Sequence, residues 1–313
     1  MILVTGGSGF LGNNIVQRLV GQNQRVRVLV RNPGRAQREG RLTGLPIEWV
    51  FGDVTQPQSL GPAFDGVDRV IHTAAVAIEK GQSTYEAVNF QGTVNVVEAA
   101  KQAGVIHFVN ISQMGAAPDL PYRFLASKGR AQEYVGQSGL KWTAFRPSVL
   151  FGPQDEFANT FARLVPITPL IFPIVGSDQT TFQPVWVEDV ASAVVQSLTD
   201  DTTLLQELEL GGPEVLTLEE IERRTLQALK AQRLMIRFPL PVLRLIVAAM
   251  QIALPNPPVT SSLLELLQVS NVPADNKLPR FVSSPTAFTV ENIRPYMRSF
   301  RVGQTLRLYL GRS

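Results

Sequence analysis

Along the first 150 residues, short apolar runs alternate with longer stretches whose apolar positions recur every three or four residues. The runs Ile2–Thr5, Arg25–Val30, Ile47–Phe51, Arg69–Thr73, His107–Ile111 and Trp142–Arg146 have the length and composition of strands. Between them Leu11, Ile15 and Leu19, and later Val88, Val96, Ala99 and Ala100, carry helical spacing. Strands apolar on both faces and separated by helices predict a parallel sheet covered on both sides. The expected fold is a Rossmann-like, doubly wound α/β fold.

The pattern changes after residue 150. Pro166, Pro169, Pro173 and Pro184 break any long helix across 153–185, and a helical pattern returns at Val187–Leu198. Thr217 and Glu220 then form a T-x-x-E capping signal opening a helix striped by Leu218, Ile221, Ala228 and Leu229. Residues 1–150 are therefore expected to form the dinucleotide-binding domain. Residues 151–313 are expected to form a smaller C-terminal α/β lobe on the substrate or partner side, interleaved with the core around 180–200. Two apolar segments of that lobe, Phe161–Val175 and Phe238–Leu254, read as core, apolar pocket, membrane-facing surface or subunit contact. Core packing is the default, and a protein contact is the preferred alternative. The Leu240–Leu254 stretch lacks the basic face usual for a helix lying on a membrane.

Composition narrows the chemistry. Of 313 residues, 44% are hydrophobic and 18% charged, the balance of a folded globular chain. The formal charge of +3 comes without a long basic run, so nucleic acid is not an expected partner. There is no cysteine, which removes disulfides, thiolate metal sites and a thiol nucleophile. With only His72 and His107 to offer imidazole, no metal site is expected. No uninterrupted apolar stretch reaches 18 residues, so no transmembrane span is expected. No secretory pattern opens the sequence, and a cytoplasmic place, at or near the inner face of a membrane complex, is the expectation.

The first strand runs into Gly6-Gly7-Ser8-Gly9-Phe10-Leu11-Gly12, and a helix follows. Gly6, Gly9 and Gly12 have the spacing of a loop that turns tightly, admits a pyrophosphate and packs helix on strand. The free N–H groups at Phe10 and Leu11 would face the phosphates, aided by the helix dipole. Where an NAD site usually carries an acid at the end of the second strand, this chain has Arg31, followed by Arg35. A guanidinium there suits a 2′-phosphate, so NADP(H) is expected over NAD(H).

Further segments carry a resemblance. Gly52-Asp53-Val54, His72-Thr73-Ala74-Ala75, Asn89-x-x-Gly92-Thr93, Ser127-Lys128, Arg146-Pro147, the run Phe182–Ala191 and Gly211–Glu214 join the glycine loop. Together they resemble the extended and atypical short-chain dehydrogenase/reductase superfamily. They look most like the atypical branch that includes the NADPH-binding accessory subunit of respiratory complex I and its bacterial relatives. The match covers roughly residues 1–230. The resemblance implies that Asp53 and Val54 hold the adenine and that Ala74 and Ala75 line the pyrophosphate and ribose. It implies that Lys128 holds the nicotinamide ribose and that Pro147 lies beside the nicotinamide. His72 reads as a packed strand residue rather than a catalyst.

Active members of that superfamily place a tyrosine four residues before the lysine. Positions i and i+4 share a helix face, so the ammonium lowers the phenol pKa for proton transfer. Here that position is Phe124, which carries no proton. Tyr122 lies six residues before Lys128, about 240° round a helix, and would serve only if the helix began after it. Ser112 is the nearest candidate for the assisting hydroxyl, with Gln113 and Met114 competing for its slot. The reading that follows is an NADP(H)-binding accessory or regulatory protein with weak or no turnover, with a protein complex as partner. The alternative is an active NADP-dependent oxidoreductase or epimerase on a nucleotide sugar or small carbonyl substrate, using Tyr122 or another acid, with Asp155, Glu156 and Gln183 near the substrate.

Overall fold

The computed structural model describes residues 1–38, 40–174 and 180–311. Two compact units emerge. The first comprises Met1–Pro147, Val187–Leu210 and Ala274–Ser284, and the second Ser148–Trp186, Gly211–Pro273 and Pro285–Ser313.

The first unit is a seven-stranded parallel sheet. Strands β1 (Ile2–Thr5), β2 (Val26–Val30), β3 (Glu48–Phe51), β4 (Arg69–His72), β5 (His107–Ile111) and β6 (Trp142–Pro147) follow the expected runs to within a residue or two. From one edge the order is β3-β2-β1-β4-β5-β6, completed by a strand at Gln206–Leu210. β1, β2 and β5 are buried at every position, whereas β3, the edge strand, is half-exposed. The chain winds outward from β1 in one direction and from β4 in the other. The β1/β4 boundary is therefore the switch point at which doubly wound sheets bind ligands. The hydrophobic pattern missed the seventh strand because Gln206-Glu207-Leu208-Glu209-Leu210 alternates, as an edge strand does, and pairs with β6 across some sixty residues. The helix Phe10–Gly21 packs against the helix Val187–Ser197.

In the second unit, three two-stranded ladders join Leu150–Phe151 to Val185–Trp186, Thr181–Phe182 to Leu216–Thr217, and Ile171–Ile174 to Leu234–Arg237. Its core is aromatic: Phe151, Phe161, Phe172, Phe182 and Phe288 are buried together. The capping signal at Thr217 and Glu220 forms as expected, with both reciprocal hydrogen bonds, and opens the helix Leu218–Ala228. Of the segment 161–175, Phe161 and Phe172 are core, Leu170 and Ile171 are exposed, and Val175 lies outside the described residues. The Phe238–Leu254 segment follows the default of core packing along one stripe only, where Leu243 and Val247 join the core and Phe238, Leu240 and Met250 pack against it. Its helix Leu240–Ala253 buries only Leu243 and Val247.

Candidate functional site

β1 delivers the chain to Gly6 at φ 69°, a left-handed turn that glycine adopts without cost. A Cβ at Gly6 would lie 2.6 Å from the backbone nitrogen of Ala74, so the loop after β4 is seated directly against the glycine loop. A Cβ at Gly12 would lie 2.2 Å from the Gly6 carbonyl oxygen, and one at Gly7 2.7 Å from Val28 Cγ1. These glycines are demanded by the fold itself. Gly9 is different. Its φ and ψ of −75° and 175° suit any residue, and a Cβ there would meet only the Gly6 carbonyl, at 3.1 Å. Its N–H closes the turn on that carbonyl at 2.9 Å. Gly9 begins the helix with no side-chain cap and no acid in the first turn, leaving the N–H groups of Phe10 and Leu11 for an anion. An uncapped helix terminus behind a glycine with one open side fits a pyrophosphate.

The other expected contacts come from the carboxyl ends of neighbouring strands. Arg31 follows β2 and is exposed; among the described residues no salt bridge engages it. Asn32 Oδ1 accepts the Arg35 N–H at 2.9 Å, which folds the turn and keeps both guanidinium groups on one short segment. Asp53 is half-buried after β3. Its Oδ1 accepts from the N–H and hydroxyl of Thr55 at 2.9 and 2.8 Å, so it is both a turn-former and a fixed carboxylate. Val54 and Ala74 share one apolar cluster, and Gly92 is obligatory there because its Cβ would lie 2.9 Å from Val54 Cγ2. Ala75 is exposed, and Pro147, at the end of β6, is buried.

Behind these loops runs a polar chain through the core. Thr93 Oγ1 donates to the Asn89 carbonyl at 2.7 Å, so it accepts from His72 Nε2 at 3.0 Å; His72 Nδ1 then accepts from Thr5 Oγ1 at 2.7 Å. That sequence of donors fixes one neutral tautomer. Burial, together with the nearby Lys128 charge, pushes the His72 pKa down to about 3. Asn89 continues the chain by holding the N–H and C=O of Val76 and donating to Ser127 Oγ. His72 thus braces the loops after β1 and β4. In the sequence Asn89 and Thr93 stand out only as positions of a motif. Their role depends on a fully buried side-chain network that adjacency along the chain does not display. His107 is bonded to Thr143, and burial pushes its pKa down to about 4. Among the described residues no cluster of ligating side chains suits a metal.

At the expected catalytic positions the helix runs from Arg123 to Gln137. Lys128 is buried, donates from Nζ to the Ile111 carbonyl oxygen at 2.5 Å, and has its pKa pushed down to about 8 by burial. Phe124, one turn earlier, packs edge-on against Tyr85 with ring centroids 5.6 Å apart. Tyr122 precedes the first helical residue, with φ −85° and ψ 103°, so the helix does begin after it. Ser112 is buried and its hydroxyl has no partner among the described residues, while Met114 is tied through its N–H to the Pro147 carbonyl.

In the second unit, Asp155 is buried rather than solvated. It accepts the N–H groups of Gly152 and Asn159, and burial raises its pKa to about 6. Glu156 is exposed and paired with Arg163, and Gln183 donates to the Gly212 carbonyl at 2.6 Å. All three have local structural partners.

A family model described as NAD(P)H-binding matches residues 6–201, and the chain belongs to that family. Its fold is that of the short-chain dehydrogenase/reductase superfamily, as the motifs implied. The chain is 29% identical over 255 residues to the mitochondrial NADH dehydrogenase [ubiquinone] 1 alpha subcomplex subunit 9 of Arabidopsis thaliana, covering 78% of this chain and 62% of that one. It is 28% identical over 223 residues to an NAD(P)H azoreductase of Xenophilus azovorans, covering 71% of each. This chain therefore spans under two thirds of the plant relative's length. A nucleoside-diphosphate-sugar epimerase structure from Staphylococcus aureus superposes with TM-score 0.71 at 19% identity over 92% of this chain and 97% of that one. No helix among the described residues is long and apolar enough to cross a membrane.

Proposed function

We propose that this protein binds NADP(H) and acts as an accessory or regulatory component of a larger complex rather than as a tyrosine-dependent oxidoreductase. The observation that carries the proposal is the pairing of Lys128 with Phe124. The lysine that would hold the nicotinamide ribose is kept, and the residue one turn before it cannot move a proton. Bound NADP(H) would supply hydride-transfer capacity. Gly6, Gly9 and Gly12 with the N–H groups of Phe10 and Leu11 would bind its pyrophosphate. Arg31 and Arg35 would take the 2′-phosphate, Asp53 and Val54 the adenine, Ala74 and Ala75 would line the pyrophosphate and ribose, and Lys128 and Pro147 would hold the nicotinamide end. A ligand that binds only the folded chain stabilises it by mass action, which suits a protein whose output is assembly rather than turnover. The complex I subunit among the relatives supports an accessory role.

The second reading, an active NADP-dependent reductase or epimerase, is favoured by one observation: Tyr122 lies outside the helix and is not held to the 240° offset. Calorimetric titration with NADPH, NADP⁺, NADH and NAD⁺, together with NADPH oxidation over a panel of aldehydes and ketones, separates the two. Selective NADP(H) binding without turnover is the expected result. Turnover that disappears in Tyr122→Phe would overturn it in favour of the second reading.

A further inference from the structure

The second unit carries two helices that are each held by a single narrow seam. Leu240–Ala253 is fourteen residues long and buries only Leu243 and Val247, four apart. Val302–Tyr309 buries only Thr305 and Tyr309, also four apart. At about 100° per residue, Val242, Leu245, Ile246 and Ile252 form a broad arc on the side away from the 243/247 seam. Leu245 is 73% and Ile252 90% exposed. On the second helix Val302 and Leu306 are exposed, as are Leu308 and Leu310 at its end. The carboxyl ends of the two helices are tied together: Asn256, just after the first, donates from its N–H to the Tyr309 carbonyl and from Nδ2 to the Leu308 carbonyl, each at 3.1 Å. Two helices about fifty residues apart in sequence are thereby joined at their carboxyl ends.

Charge identifies what covers them. Residues 238–264 and 292–311 contain no aspartate or glutamate, while Arg244, Arg294, Arg298, Arg301 and Arg307 are exposed there. Among the described residues no salt bridge engages any of these five arginines. The first helix alone has one cation. Joined to the second, which carries Arg307 and has Arg301 at its N-cap, it gains the basic flank that its own sequence lacks. Aliphatic side chains flanked by unpaired arginines match the acyl boundary and headgroups of an anionic bilayer. A second copy would set these arginines against their own kind. The large, strongly exposed side chains are all aliphatic, without the tryptophan or tyrosine anchors that dominate protein contacts. At roughly 21 Å, the first helix is too short to span a hydrocarbon core of about 30 Å.

We infer that the paired helices Leu240–Ala253 and Val302–Tyr309 form a peripheral docking surface for anionic phospholipid. The inference gives the proposed accessory role a membrane to sit on, and it stands independently of the dinucleotide site.

The test is flotation of the full chain with vesicles of phosphatidylcholine alone or of phosphatidylcholine with one third phosphatidylglycerol. The chain is expected to float with the anionic vesicles only and to be released by high salt. At about 1 kcal/mol per basic residue near the surface, Arg244→Gln, Arg301→Gln and Arg307→Gln together are expected to weaken binding on the order of 100-fold. Leu245→Ser with Ile252→Ser is expected to abolish flotation while leaving NADPH titration unchanged, since neither residue belongs to the proposed dinucleotide site. Equal flotation with neutral vesicles, no flotation, or indifference to the arginine changes would overturn the inference. So would a concentration-dependent dimer that Leu245→Ser dissolves. Failure of NADPH to bind bears only on the proposed function.

Discussion

Lys128 Nζ donates to the carbonyl oxygen of Ile111 at 2.5 Å, anchoring the Arg123–Gln137 helix to the end of β5 next to Ser112. The ammonium is therefore placed without help from a tyrosine, and Phe124 stands one turn before it on the same helix.

Phe124→Tyr is accordingly expected to install activity. A positioned general acid contributes on the order of 100-fold to 10,000-fold. The variant should therefore oxidise NADPH with at least one small carbonyl at about 100 times the wild-type background. Stopped-flow absorbance of the nicotinamide reads this directly. A variant that binds NADPH and stays silent would show that more than the phenol is missing.

Gly9 and Gly12 should separate binding from folding. Gly12→Ala forces a Cβ to 2.2 Å from the Gly6 oxygen and should lower stability by about 2 kcal/mol or more, in the range of overpacked cores. Gly9→Ala keeps an ordinary backbone and meets the Gly6 carbonyl at 3.1 Å rather than 2.2 Å, so it should cost far less stability than Gly12→Ala, yet lose NADPH affinity by roughly tenfold or more as a methyl meets the phosphate. Calorimetric melting and titration of both variants decide it.

Arg31→Ala should change selectivity rather than affinity in general. Hydrogen bonds to charged groups are worth about 1.5–3 kcal/mol, so NADPH binding should weaken roughly 10-fold to 100-fold while NADH binding stays as it was. Equal losses for both would place the arginine away from the 2′-phosphate.

Acid should destabilise the fold through the histidines. The native pKa of His72 is pushed from 6.5 to about 3 and that of His107 to about 4. Below pH 6.5 the unfolded chain takes up protons that the native one refuses, and stability falls with pH. Asp155 acts the other way. Raised from 3.8 to about 6, it holds a native proton in that window, so its contribution grows as pH falls. One net proton should be taken up on unfolding between about pH 4 and 6, a slope near 1.4 kcal/mol per pH unit. Urea midpoints across that range should show it, and His72→Gln should remove most of the slope.

Much of this was legible in the chain. The apolar runs located β1 to β6 to within a residue or two because strands buried on both faces leave an unbroken signature. The Gly6–Gly12 spacing marked the nucleotide loop, and the T-x-x-E signal at Thr217 marked its helix start, because both are local chemistry. The alternating Gln206–Leu210 strand was not visible. Its burial comes from β6, and no local pattern reports a partner so far away.

The sequence by itself determined the sheet, the glycine loop, the retained Lys128 and the proton-free Phe124, since each depends on residue type and short-range spacing. Only the tertiary structure decided three further matters. It showed that Gly9, unlike Gly12, is spared by its own fold, and that His72 is locked as one neutral tautomer between Thr5 and Thr93. It also joined an apolar helix with one arginine, at its carboxyl end, to a second helix that carries Arg307 and is capped by Arg301. Each of these is a relation between side chains or backbone atoms brought together by folding, and such distances are set by packing rather than by order along the chain.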